Sequence, residues 1–194
     1  MDCKGGLITP GFVDPHTHIF PPKDRSNEFA MRVNKTYQEI AAAGGGIVSS
    51  VAACRKSNFE ELYIKNEKNV RRFIEFGTTT LEMKSGYGLD LETEILLLEV
   101  INKLKKNFSK YIEIIPTFLG AHAIPPEFKG RTDEYVDLIC NKMLPEIKTK
   151  DLAEYCDVFC EEGYFNYQQS EKILKTAKSL KFKIRLHADE FQDT

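Results

Sequence analysis

The sequence lacks the features that would place it in a membrane or on a nucleic acid. Its 194 residues contain no apolar run of about 18, the length that a membrane-spanning helix needs. The formal net charge is only -2, and basic residues alternate with acidic ones, so no basic face for nucleic acid is predicted. Residues 1–6 have neither the charged nor the apolar part of a signal peptide. We therefore expect a cytoplasmic protein that binds neither membrane nor nucleic acid.

Cysteine is scarce and irregularly spaced. The five cysteines are an odd number and lack the spacing of a disulfide framework. Cys156 and Cys160 flank a predicted strand, which would hold their Cα atoms roughly 13 Å apart, too far for a disulfide. Free thiols in a reducing compartment are the prediction.

Short apolar runs alternate with amphipathic helical patterns along the chain. The predicted strands are 7–13, 78–83, 112–119, 156–160 and 183–186. Their nearly continuous apolar character is typical of strands that are buried on both faces. Alternation of strands and helices indicates parallel strands joined by right-handed crossovers, either in a doubly wound sheet or in a (β/α)₈ barrel. No glycine-rich G-x-G-x-x-G turn follows the first strand, which favours the barrel.

Polar residues mark where the predicted helices begin. The spacing of Ser57 and Glu60 predicts a capping box, and Asn166 with Gln169 predicts another. Asp90 is predicted to cap the helix that follows it, and Thr132 precedes a further one. A shorter helix is expected at 37–43, ending at the glycines 44–46.

All four histidines fall at or just after the ends of predicted strands. Side chains two residues apart in extended chain project to the same side, so His16 and His18 can reach one metal ion. His187 follows another strand and could be a third ligand of zinc, iron or a related ion. Glu190, three residues further on, could move protons for an attacking water molecule.

Several blocks of the sequence resemble the amidohydrolase superfamily of metal-dependent hydrolases. Residues 10–18, Pro-Gly-Phe-Val-Asp-Pro-His-Thr-His, are similar to its first-strand signature. Blocks 37–47, 82–90, 118–122, 157–161 and 187–191 resemble the imidazolonepropionase family and occur in the same order. The 82–90 block, which contains Lys-Ser-Gly-Tyr-Gly, and the glycine triplet are the most specific of these.

This resemblance implies a partial TIM barrel and a hydrolase that opens a cyclic amide. The family converts 4-imidazolone-5-propanoate to N-formimidoyl-L-glutamate in histidine degradation, with one divalent metal ion, zinc or iron. By position, the metal ligands are His16, His18 and His187, and the catalytic residues are Glu190 and His122. The substrate-binding residues by the same correspondence are Arg25, Tyr87, His122 and Glu190.

The implied roles agree with elementary chemistry. An arginine suits the substrate's propionate because a guanidinium binds a carboxylate bidentately. Tyr87 and His122 are expected to position and polarise the ring carbonyl. Lys84 does not stand where the superfamily's bridging lysine belongs, so it receives no metal-bridging role.

The sequence also departs from the family. Pro21, Pro22 and Lys23 replace a smaller, less basic stretch ahead of Arg25. The family's fourth metal ligand, an aspartate on the last strand, would lie beyond Thr194, as would part of a small β-sandwich. We therefore expect residues 1–194 to be a single domain, the N-terminal part of the barrel with about five βα units, and to be inactive in isolation.

Two alternatives to this function stay open from the sequence. Cytosine- and guanine-type deaminases share the H-x-H and H-x-x-E patterns, but their substrates have no propionate for Arg25. The chain could instead be a catalytically inactive fragment that binds metal weakly. The oligomeric state is also open, and a homodimer is one of the assemblies compatible with the sequence.

Overall fold

Five parallel strands form one sheet, and the strands follow one another in chain order across it. A computed structural model describes residues 2–20, 26–36, 39–40 and 45–191. The strands are β1 (Phe12–Asp14), β2 (Thr78–Lys84), β3 (Glu113–Ala121), β4 (Tyr155–Val158) and β5 (Lys183–Ile184). Each strand pairs in parallel with the next one in sequence.

Helices fill the connections between these strands. They are α1 (Ser26–Met31), α2 (Gly46–Cys54), α3 (Phe59–Glu75), α4 (Leu91–Phe108), α5 (Thr132–Leu138), α6 (Leu144–Thr149) and α7 (Tyr167–Ser179). A π-helical turn, Ile139–Met143, joins α5 to α6. Within the described part of the chain, none of these helices has the length and apolar character needed to cross a bilayer.

The strand order decides between the two architectures that the sequence allowed. A doubly wound sheet reverses its strand order part-way and carries helices on both faces. Here the order never reverses, so right-handed crossovers put the helices on one face, as they do in a (β/α)₈ barrel. The predicted α/β fold with about five barrel units is confirmed.

The two faces of the sheet have opposite chemistry. Leu81, Met83 and Phe118 are fully buried in the apolar core between the sheet and the helices. Alternate residues on the same strands are polar and equally buried, because successive side chains of a strand point to opposite faces. Glu82 and Lys84 lie on this second face, together with Thr117 and Asp157. The barrel's inner face therefore carries a buried polar layer beneath the strand ends.

Of the four predicted helix starts, two are confirmed and two are displaced by one residue; Thr132, which was expected to precede a helix, is the first residue of α5. Asp90 accepts a hydrogen bond from the Thr93 backbone N–H at 2.7 Å, and Asn166 forms a complete capping box with Gln169. The box predicted for Ser57 was wrong by one residue, because Asn58 and Glu61 form it instead. The Ser57 hydroxyl donates to the Ala53 carbonyl and so belongs to the end of α2.

The first strand and the glycine triplet also differ from prediction. The strand predicted at 7–13 is observed at Phe12–Asp14, which pairs with β2, and Leu7 and Ile8 are exposed. Gly46 begins α2, a helix that was not predicted, with a φ of +68° that favours glycine. Residues 37–38 and 41–44 lie outside the described part, so the helix expected at 37–43 stays a prediction. All five cysteines are free thiols, as predicted.

Candidate metal centre

Three imidazole rings converge at the carboxyl ends of β1 and β5. The Nε2 atoms of His16 and His18 are 3.0 Å apart, and those of His18 and His187 are 3.2 Å apart. One nitrogen from each of the three rings lies within 4.8 Å of the others. Two nitrogen ligands of a tetrahedral zinc ion, each at about 2.0–2.1 Å, lie roughly 3.3 Å from one another. The spacing therefore fits three ligands of a single ion.

Local backbone structure explains why the rings meet. His16 and His18 are two residues apart just after β1, and the residue between them, Thr17, is buried and hydrogen-bonds through its hydroxyl to the Glu82 carbonyl. His187 extends the parallel pairing of β4 and β5, because its N–H donates to Val158 at 2.9 Å and its carbonyl accepts from Cys160 at 2.9 Å. A side-chain hydrogen bond thus fixes the His16 and His18 side of the centre, and backbone hydrogen bonds fix the His187 side.

The electrostatic environment keeps the rings of His16 and His18 in the form that binds metal. Burial and the neighbouring rings of His122, His187 and His16 lower the pKa of His18 to about 2. Burial and the charge of Lys84 also lower the pKa of His16. Neutral imidazole is the ligand form of histidine for zinc and iron. The three imidazole donors, and the neutral form of His16 and His18, therefore fit a divalent transition metal.

A buried carboxylate and a buried ammonium support His187 from beneath. The Nδ1 atom of His187 is 3.0 Å from Asp157 Oδ1, and Lys84 Nζ donates to Asp157 at 2.6 Å and to Glu82 at 2.8 Å. Burial acts to raise the pKa of Asp157, but the His187 hydrogen bond and the Lys84 charge lower it to about 2. Lys84 is paired with two carboxylates, which agrees with its lack of a metal-bridging role.

A cavity of about 320 Å³ opens in front of the three histidines. Its lining comes from seven segments of the chain and consists of His16, His18, Arg32, Ile47, Tyr87, His122, Phe159, His187 and Glu190. A larger cavity of about 800 Å³ lies beside β4, β5 and the start of α7, but no histidine lines it. The smaller cavity is the better candidate for chemistry because the titratable groups converge there.

His122 and Tyr87 form the wall of this cavity next to His18. The His122 ring stacks on the His18 ring with centroids 5.1 Å apart, and Tyr87 meets it edge-on at 5.1 Å. His122 Nδ1 lies 2.8 Å from the Gly86 carbonyl, which can only accept, so Nδ1 is the donor. Burial lowers the pKa of His122 to about 4, and the neutral ring then has Nε2 as an acceptor.

The sequences of known proteins identify relatives of this chain. No protein-family model matches it. It is 50% identical over 191 residues to an imidazolonepropionase from Caldanaerobacter subterraneus subsp. tengcongensis, covering 98% of this chain and 46% of that protein. An imidazolonepropionase from Shewanella oneidensis is 47% identical over 191 residues, with the same two coverages.

The chain is homologous to imidazolonepropionases. It spans about half the length of the curated relatives it matches. The resemblance that the sequence blocks indicated is therefore confirmed over nearly the whole chain. Its partial extent relative to the imidazolonepropionases agrees with the five barrel units of the structure.

A solved structure shares the fold of this imidazolonepropionase homologue. It is a 5-methylcytosine deaminase from Klebsiella pneumoniae with bound 5-fluorocytosine, and the TM-score is 0.61. The match covers 95% of this chain and 40% of that chain, at 12% sequence identity. At that identity the likeness supports the barrel architecture and gives no preference for a deaminase reaction.

Glu190 lies at the rim of the cavity, where the imidazolonepropionase resemblance places the acid/base. Its side chain is exposed, and its backbone N–H donates to Glu161 Oε2 at 3.0 Å. The same carboxylate oxygen accepts from the Phe191 N–H at 3.0 Å. The buried Glu161 thus anchors the segment that carries Glu190 to the end of β4. The catalytic role of Glu190 stays a prediction.

Two arginines bear on the predicted binding of a substrate carboxylate. Arg25, the predicted partner of the propionate, lies outside the described residues. Arg32, which follows α1, lines the cavity and was not predicted. Nothing in the sequence around Arg32 distinguishes it from a surface arginine. Its place beside the three histidines depends on tertiary structure.

Asp157→Asn is expected to weaken metal binding about 10- to 100-fold, because carboxylates that hold the second nitrogen of a histidine ligand have effects of this size. Asparagine keeps the shape of the side chain but loses the charge that His187 and Lys84 contact. Competition between the protein and a zinc chelator measures the affinity. Asp137→Asn is the matched control, since Asp137 pairs with Lys172 on the surface. Equal affinity in both variants would show that Asp157 does not support the ligand.

Proposed function

We propose that this chain supplies the metal centre and part of the substrate cavity of a cytoplasmic hydrolase that opens the ring of 4-imidazolone-5-propanoate. The product is N-formimidoyl-L-glutamate, an intermediate of histidine degradation. The observation that carries the proposal is the convergence of His16, His18 and His187 in one cavity with Tyr87, His122 and Glu190. The identity of about 50% to imidazolonepropionases supports the choice of substrate.

The three histidines would hold one divalent ion, zinc or iron. Three neutral nitrogen donors suit either metal, and a catalytic site keeps further positions for water or substrate. When bound, the ion supplies Lewis-acid activation of water and of a carbonyl group. The Asp157 carboxylate fixes the orientation of His187, so that its Nε2 faces the other two ligands.

Glu190 would move the proton that the reaction requires. A water oxygen forms a bond to the ring carbonyl carbon, the carbon–nitrogen bond breaks, and the departing nitrogen takes up a proton. Glu190 accepts the proton from the water and delivers it to that nitrogen, which is general base and then general acid catalysis by one carboxylate. Its place on the cavity rim and the anchoring of its backbone by Glu161 support this role.

Tyr87 and His122 would bind different groups of the substrate ring, one a hydrogen-bond acceptor and the other a donor. The neutral His122 presents Nε2 as an acceptor, so it suits a ring N–H and not the ring carbonyl. The Tyr87 hydroxyl is then the donor of the pair and suits the carbonyl oxygen. Of the two residues expected to polarise the carbonyl, we therefore assign that role to Tyr87 alone.

A chimera tests this function directly. Residues 1–194 replace the matching segment of the Shewanella oneidensis relative, and the product is assayed on imidazolone propionate, cytosine and guanine with added zinc or iron. Hydrolysis of imidazolone propionate alone is expected. Turnover of cytosine or guanine would favour a deaminase. A folded, metal-loaded chimera with no turnover would favour the inactive alternative.

Arg25→Met is expected to raise the KM for imidazolone propionate about 10- to 100-fold in the chimera, because a hydrogen-bonded charge pair contributes roughly 1.5–3 kcal/mol. Metal content should not change. Arg32→Met is the paired variant, since Arg32 also carries a guanidinium to the cavity. A large rise in KM for Arg32→Met and none for Arg25→Met would show that Arg32 binds the substrate carboxylate and Arg25 does not. If both variants keep the parent's preference for analogues that carry the carboxylate, neither arginine binds that group.

A further inference from the structure

The turn between β2 and α4, residues 85–89, wraps around a fully buried carboxylate. Glu94, in the first part of α4, is 0% exposed and points back into the turn. It accepts hydrogen bonds from the backbone N–H groups of Gly86 at 3.0 Å, Gly88 at 2.8 Å and Leu89 at 3.0 Å. Ser85 contributes a side-chain hydrogen bond as well. A buried carboxylate is costly unless it is satisfied in this way, so the turn and Glu94 require each other.

The turn has little freedom to take another conformation. Gly86 has a φ of +94°, and a Cβ there would come within 2.7 Å of the Leu119 carbonyl oxygen and 3.1 Å of His122 Nδ1. A Cβ at Gly88 would come within 2.7 Å of the Glu94 backbone nitrogen. The Leu119 N–H also donates to the Ser85 hydroxyl at 3.1 Å. The turn is therefore packed between the start of α4 and the end of β3.

Gly86 connects Glu94 to the cavity. Its N–H donates to the Glu94 carboxylate, and its carbonyl accepts from His122 Nδ1 at 2.8 Å. The next residue, Tyr87, presents its ring edge-on to His122. A shift of the Gly86 backbone would thus move the hydrogen-bond acceptor of His122 and the attachment point of Tyr87 together.

We propose that Glu94 is a positioning residue, which fixes the tautomer and orientation of His122 and the placement of Tyr87 by clamping the turn at residues 85–89. Glu94 does not line the cavity and acts only through these two side chains. The substrate-binding consequence rests on the proposed function. The effect on the His122 ring does not, because it depends only on the hydrogen bonds of the folded chain.

Histidine-selective ¹⁵N NMR of the chain measures the first consequence. The four ring systems are assigned by single substitutions, and the spectra are recorded near neutral pH. In the parent, His122 is expected to carry its proton on Nδ1. In Glu94→Gln, the amide N–H₂ group cannot accept from the turn, and we expect His122 to become a mixture of tautomers. Glu99→Gln, an equal change at an exposed position of α4, should leave the spectrum of the parent.

Turnover and metal affinity give the second readout. In Glu94→Gln of the chimera we expect kcat for imidazolone propionate to fall about 10- to 100-fold, as misplacement by about 1 Å can do, with unchanged zinc affinity of the His16, His18 and His187 cluster. A changed tautomer in Glu94→Gln, together with a folded, metal-loaded parent chimera that hydrolyses no imidazolone propionate, would refute the proposed function and retain the role of Glu94. An unchanged His122 spectrum in folded Glu94→Gln would overturn the role of Glu94.

A milder variant covers the case in which Glu94→Gln does not fold. Ser85→Ala removes one hydrogen-bond partner of Glu94 and leaves the carboxylate in place. Circular dichroism and thermal melting show that the variant is folded before the NMR spectra are compared. A smaller tautomer shift in the same direction would support the clamp. A His122 ring identical to the parent's would overturn it.

Discussion

Alanine in place of His18 is expected to lower zinc affinity about 10²- to 10³-fold. The Nε2 atom of His18 lies 3.0 Å from that of His16 and 3.2 Å from that of His187. Without His18, only two of the three converging nitrogen atoms remain to bind the ion. Zinc binding by four-ligand sites has an apparent free energy of about 10–16 kcal/mol, of which one ligand's share is roughly 3–4 kcal/mol. Chelator competition at pH 7 measures the change.

His122→Ala is the matched control for this variant. His122 is buried and stacks on His18 with ring centroids 5.1 Å apart, but its nitrogens are not among the three that converge. Its removal should leave zinc affinity within a few-fold of the parent. Equal losses in the two variants would mean that packing around the cluster, and not ligation by His18, determines metal binding.

Glu190→Gln is expected to lower kcat about 10²- to 10⁴-fold in the chimera, the contribution of a general acid–base group. Glutamine keeps the size of the side chain but cannot accept the proton of the attacking water. Metal content should stay at that of the parent, because Glu190 is not one of the converging ligands. Steady-state rates with imidazolone propionate and metal analysis of the same sample provide the two numbers.

Glu162→Gln controls for the loss of one negative charge near the end of β4, since Glu162 is exposed and does not line the cavity. It should retain the parent rate. Activity of Glu190→Gln within a few-fold of the parent would assign the proton transfer to another residue. His122 would then be the next candidate, since its Nε2 is an acceptor in the same cavity.

The three converging histidines could be predicted because their signals are local. His16 and His18 depend only on the two-residue period of extended chain, and His187 depends on a strand end that its apolar run indicates. The capping residues Asp90 and Asn166 were equally predictable from short-range spacing. Parallel strands then bring these local features to one edge without further information.

The positions of several other residues depend on tertiary packing and could not be predicted from the sequence. Glu94 has the position of an ordinary acidic residue near a helix start, and only the fold of the preceding turn shows that it is buried. Arg32 reaches the cavity through a segment with no regular pattern. Ser57 does not cap α3 because its hydroxyl hydrogen-bonds to the Ala53 carbonyl at the end of α2, and this contact depends on how the chain leaves that helix.

X-ray absorption spectroscopy of the zinc-loaded chain tests the metal centre most directly. Three histidine imidazoles should contribute nitrogen neighbours at about 2.0–2.1 Å, with characteristic scattering from the rings. The double variant His16→Ala, His18→Ala should lose this signal. Sulfur neighbours at about 2.3 Å, which would come from cysteines such as Cys160, or a spectrum unaffected by the double variant, would contradict a three-histidine site.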